Sequence, residues 1–155
     1  MTDAYVSRAA AAVAKADTPA RIAIIVYSTL EEITEMALPY DARLTAMRRI
    51  LELATTQGVD PFDTTYDYDK GMFLADVLYQ WTDVPGNRDI LRLFVEVGLD
   101  PATPVWFKGI EEDIPLVQAA ALTGNEEASA ILRASPKFRP IPSATAYIAL
   151  LERLV

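Results

Sequence analysis

RILELATTQGVDP at residues 49–61 and DILRLFVEVGLDP at residues 89–101 are the same sentence written twice. At a spacing of 40, six positions are identical in register: Ile50 and Ile90, Leu51 and Leu91, Leu53 and Leu93, Gly58 and Gly98, Asp60 and Asp100, Pro61 and Pro101. A fixed period of this length marks a small helical unit repeated along a stack, in which each copy buries its apolar face only against its neighbours.

On either side of these stretches the apolar spacing is helical. Thr18 before Pro19 is an N-cap followed by proline at the first helical position, and Ile22, Ile25, Val26, Ile33 and Met36 then recur until Leu38 and Pro39 stop the run. Asp41 is placed to cap the next helix, in which Leu44, Met47, Leu51 and Ala54 share a face and Gly58 closes the end. Leu74, Val77, Leu78 and Trp81 form one further stripe, and Ile90, Leu93, Phe94 and Val97 another. Asp113 with Pro115 predicts the start of a helix carrying Leu116, Ala119 and Ala120, which Gly124 and Asn125 separate from one carrying Ala128, Ile131 and Leu132. Pro136, Pro140 and Pro142 predict an extended connector, and Ser143 then caps a last helix striped by Tyr147, Leu150, Leu151 and Leu154. No stretch alternates like a run of strands, so little or no sheet is expected.

In this order the pieces resemble the ankyrin repeat: a glycine-aspartate turn after one helix, a loop ending in Asp-x-Gly, a short inner helix, Gly-Asn, and a leucine-rich outer helix. Asp69-Lys70-Gly71 before Met72-Phe73-Leu74-Ala75 is similar to the family's turn and inner-helix opening. Ile114-Pro115-Leu116-Val117-Gln118-Ala119-Ala120 is similar to its Thr-Pro-Leu-His-x-Ala-Ala, with Ile for the threonine and Val for the histidine. Against the pattern stand longer loops, an insertion at residues 82–85 and a chain with no histidine, so a generic α-solenoid remains an alternative. The resemblance implies an all-α stack of antiparallel helical hairpins within one domain spanning residues 1–155. Residues 1–39 would form the N-terminal cap, 40–134 the repeats and 143–155 the C-terminal capping helix.

Composition narrows the function. At 155 residues the chain is one domain in size. The 22 acidic against 14 basic side chains give a net charge of -8, which repels nucleic acid and anionic lipid and attracts basic protein surfaces. Cysteine is absent, which removes disulfides and thiolate chemistry and makes the cytoplasm the expected compartment. No signal-peptide pattern opens the chain, and residues 22–26 are too short an apolar run to cross a membrane.

Catalysis finds little to work with. Histidine and cysteine, the usual general bases and nucleophiles, are both missing, so no catalytic residue is assigned and an enzyme is not expected. Glu31, Glu32 and Glu35 lie on a helix whose opposite face is apolar, the pattern of a solvated face. Asp63, Asp67 and Asp69 resemble a calcium loop only in part, because taking Asp63 or Asp67 as the first ligand puts leucine where a bidentate glutamate is needed. Neither a metal nor a cofactor is therefore expected, and no glycine-rich phosphate loop occurs.

A partner surface is the remaining function. Two loops hold large side chains that fit no helical stripe: Phe62, Tyr66 and Tyr68 among Asp63, Asp67 and Asp69, and Trp106 and Phe107 beside Glu111 and Glu112. Aromatic anchors in acidic surroundings suit a basic partner. Tyr66, Asp67, Tyr68, Asp69, Trp106, Phe107, Glu111 and Glu112 are the candidate contact residues. The competing structural reading folds Phe62, Trp106 and Phe107 back over the helix ends. The expectation is a protein-binding module that neutralises a basic protein, either an immunity protein against a toxin or a phage-encoded inhibitor of a nucleic-acid-binding defence complex. Self-association of two copies into a scaffold is the alternative.

Overall fold

A computed structural model describes residues 2–35, 39–62, 74, 87–107 and 111–140. The described residues are mostly helical, with one small two-stranded sheet, and the chain divides into two compact units, residues 1–70 and 71–155.

In the first unit α1 (Thr2–Lys15), α2 (Pro19–Glu35) and α3 (Tyr40–Thr56) each pack against the other two. Thr18 caps α2 as its sequence predicts, its Oγ accepting from the Arg21 N–H at 3.2 Å. Asp41 does not cap α3: Pro39 holds that position without a side-chain bond, and Asp41 lies inside the first turn, where its charge still complements the helix dipole. The core collects Val6, Ala9 and Val13 from α1, Ala23, Val26, Leu30 and Ile33 from α2, and Met47, Ile50, Leu51 and Ala54 from α3. Two exposed ion pairs tie α1 to its neighbours, Arg8 to Glu32 and Asp3 to Arg49, both at 2.7 Å.

The second unit contains α4 (Asn87–Glu96), β1 (Pro104–Phe107), β2 (Glu112–Pro115), α5 (Leu116–Leu122) and α6 (Glu126–Arg133). Helix α6 packs on both α4 and α5, and α5 packs on the two strands. Ile90, Leu93 and Phe94 are buried as their stripe requires, joined by Leu91, so α4 buries a broader face than one stripe. Asn125 caps α6 by accepting the Ala128 N–H at 3.0 Å.

The duplicated turns are closed by equivalent bonds at and after the glycine. Gly58 donates to the Thr55 carbonyl and Val59 to that of Ala54; 40 residues on, Gly98 donates to Val95 and Leu99 to Phe94. Both glycines hold positive φ, 73° and 113°, which a Cβ would oppose. This paired bonding is the Schellman helix ending. Asp60 and Asp100 then turn the chain identically, each carboxylate accepting the N–H two residues on, at 2.9 Å, from Phe62 and Ala102. Gly124 ends α5 in the same way.

Of the expected stripes, the one at Leu74, Val77, Leu78 and Trp81 lies outside the described residues except for Leu74, which is helical and buried. The insertion at residues 82–85 and the capping helix at 143–155 also lie outside them. Two local expectations are corrected: the stretch with Trp106 and Phe107 is a strand instead of a loop, and Asp113 sits in β2 and caps nothing, with Pro115 at the start of α5. Backbone pairing across four residues on each side wins over the capping preference of a single aspartate.

Candidate functional site: the acidic face of a hairpin

The β1–β2 hairpin pairs Pro104 with Pro115, Val105 with Ile114, Trp106 with Asp113 and Phe107 with Glu112. Proline has no N–H to contribute to a ladder, so a facing pair of prolines belongs at a non-hydrogen-bonded position. The bond from Leu116 N–H to the Thr103 carbonyl, one pair outward, agrees with that phase. Antiparallel pairs alternate, so Trp106 and Asp113, two residues along, form the same close type of pair, with Cα atoms about 4.5 Å apart and side chains on one face.

The opposite face anchors the hairpin. Val105, Phe107 and Ile114 are buried, and Val117 donates to the Pro101 carbonyl at 2.9 Å, joining the start of α5 to the turn that precedes β1. Strand alternation therefore sends Trp106 outward. At 39% exposure it is the one exposed large apolar side chain among the described residues. Asp113 opposite it is exposed, as are Glu111 and Glu112, although Glu112 is opposite Phe107 and so on the other side of the pleat. Glu111 enters β2 with a positive φ of 51°, unusual for a residue bearing a Cβ, and donates its N–H to the Phe107 carbonyl at 2.8 Å.

Of the eight candidate contact residues, the structure brings Trp106, Glu111 and Glu112 onto one exposed hairpin. Phe107 is corrected: it is buried, because a strand cannot turn two successive side chains to the same side. Phe62 is buried as well. Tyr66, Asp67, Tyr68 and Asp69 lie outside the described residues. Asp113, expected from the sequence to cap a helix, instead stands exposed in β2 opposite Trp106.

Among the described residues no group of three or more acidic side chains is gathered to hold a metal ion, and no helix is long and apolar enough to cross a membrane. The proton affinity of the Arg88 guanidinium is raised by its hydrogen bond to Glu127 and by that residue's charge. The pair ties α4 to α6 at the surface, away from the hairpin sequence. Comparison with family models, curated proteins and solved structures gave no match.

Proposed function

We propose that this chain is a degenerate ankyrin-like stack that binds a protein with a basic surface and thereby inhibits it. The reading covers an immunity protein against a toxin and a phage-encoded inhibitor of a nucleic-acid-binding defence complex, such as an anti-CRISPR. The observation that carries it is Trp106, an exposed aromatic paired with Asp113 on an anchored hairpin that also carries exposed Glu111 and Glu112. Tryptophan is enriched among the residues that dominate binding energy, and surrounding carboxylates favour a cationic partner and accelerate encounter. The ankyrin-like element of the reading is supported by the twin glycine-aspartate turns, by a hairpin between one such turn and the helix opening at Leu116, and by the α5–α6 pair joined through Gly124 and Asn125. The overall charge of -8 acts in the same direction at longer range.

The test is affinity capture from the source cells using tagged wild type, Trp106→Ala, and a Glu111→Gln, Glu112→Gln double variant, each confirmed as folded by circular dichroism. A stoichiometric partner of basic isoelectric point, captured by wild type and lost by both variants, supports the reading. Equal recovery by wild type and Trp106→Ala rejects it. Capture of a second copy of the chain alone would favour self-association instead.

A further inference from the structure

We infer that the Trp106–Asp113 pair is a seat for a single arginine side chain, so that the partner is recognised through a guanidinium and not through positive charge alone. The inference rests on the binding-module reading and assigns its chemistry. Trp106 and Asp113 face each other across the hairpin in a close, non-hydrogen-bonded pair, both exposed and on the same side of the sheet. A guanidinium stacked on the indole can direct its N–H fork at a carboxylate one strand away, which satisfies its cation–π and hydrogen-bonding preferences together. An ammonium is a compact, strongly hydrated charge with neither the plane nor the fork.

The chain builds the same three-part arrangement for itself elsewhere. In the first unit the Arg8 guanidinium carbon lies 4.7 Å from the Tyr5 ring centroid while its Nη2 donates to Glu32 at 2.7 Å. At the hairpin the aromatic and the carboxylate are both present and exposed. Pro104 and Pro115 on the same face stiffen the end of the strands that carry the pair, so that little ordering is needed on binding. Glu111, exposed just before β2, adds attraction that does not discriminate between cations.

The probes are two capped heptapeptides of equal charge, one with arginine and one with lysine at three positions alternating with glycine, titrated calorimetrically into the full chain at low ionic strength. The arginine peptide should bind about fivefold more tightly, the scale of one partly exposed cation–π contact. Trp106→Tyr should keep the preference, Trp106→Leu should abolish it while retaining apolar area, and Asp113→Asn should weaken the arginine peptide more than the lysine peptide. Equal binding of both peptides to wild type, with both weakened by Trp106→Leu, overturns the arginine seat and leaves the hairpin as a general docking face. Titrations that do not distinguish wild type from Trp106→Leu for either peptide overturn both the seat and the binding face.

Discussion

Lys137 donates from Nζ to the carbonyl oxygen of Gly98 at 2.8 Å, across 39 residues of chain. That carbonyl lies just past the C-terminal end of α4, where unsatisfied carbonyls concentrate negative potential, so the ammonium caps the helix from outside. Lys137→Met should lower stability by about 0.3–1 kcal/mol, and the loss should shrink in concentrated salt. Urea unfolding at two ionic strengths measures both effects.

The two repeat-turn glycines should not respond equally to a side chain. Gly58 has a φ of 73°, within reach of the ordinary left-handed well, and a Cβ there meets nothing within 4 Å. Gly98 has a φ of 113°, well outside that well, and a Cβ would lie 3.4 Å from Lys137 Nζ. Gly58→Ala should cost about 1 kcal/mol. Gly98→Ala should cost more, and a smaller loss at residue 98 than at residue 58 would contradict the backbone geometry described for these turns.

Asp60 and Asp100 make equivalent bonds, so their removal should have similar effects. Asp60→Ala and Asp100→Ala should each destabilise by about 0.5–1.5 kcal/mol, the net worth of one side-chain hydrogen bond to backbone. Asparagine at either position keeps an acceptor oxygen and should recover most of the loss. Thermal and urea melts of the four variants provide the comparison.

Neighbouring aromatics on β1 should separate cleanly by function. Phe107→Ala empties a buried position and should cost about 3–5 kcal/mol. Trp106→Ala, at a side chain that is 39% exposed, should cost less stability than Phe107→Ala while removing partner binding. Unfolding free energies set beside capture experiments test this split.

Glu111 holds a positive φ that glycine would adopt without a steric penalty. Glu111→Gly should stabilise the chain by about 0.5–1 kcal/mol, because relief of the left-handed backbone exceeds the extra freedom glycine gives the unfolded chain. A raised urea midpoint is the expected result. An unchanged or lowered midpoint would mean that other contacts of Glu111 compensate for the strain.

Much of the helical framework was legible in the linear chain because its signals are local. Thr18 before Pro19, the stripe through Ile90, Leu93 and Phe94, and the Gly-Asn punctuation at 124–125 each act within one or two helical turns. The repeated Gly-x-Asp-Pro turns were equally readable, since a positive-φ glycine followed by a side-chain-capped aspartate is specified by neighbouring residues alone. The same local logic misplaced Asp113 and Asp41, because each could cap a helix in isolation.

What the tertiary structure decided was which side of the chain faces water between residues 104 and 115. Four-residue strands carry too short an alternation to be distinguished from loop by sequence, and their pairing depends on a partner strand. Once paired, the pleat sends Phe107 into the core and Trp106 out beside Asp113, a relationship that no local spacing specifies. The sequence by itself determined the helices at 19–35, 40–56, 87–96, 116–122 and 126–133, their glycine turns and the acidic charge, all set by neighbouring residues or by composition. The candidate binding face needed the folded chain, because it is made by long-range backbone pairing and by the burial of Val105, Phe107 and Ile114 on its reverse side.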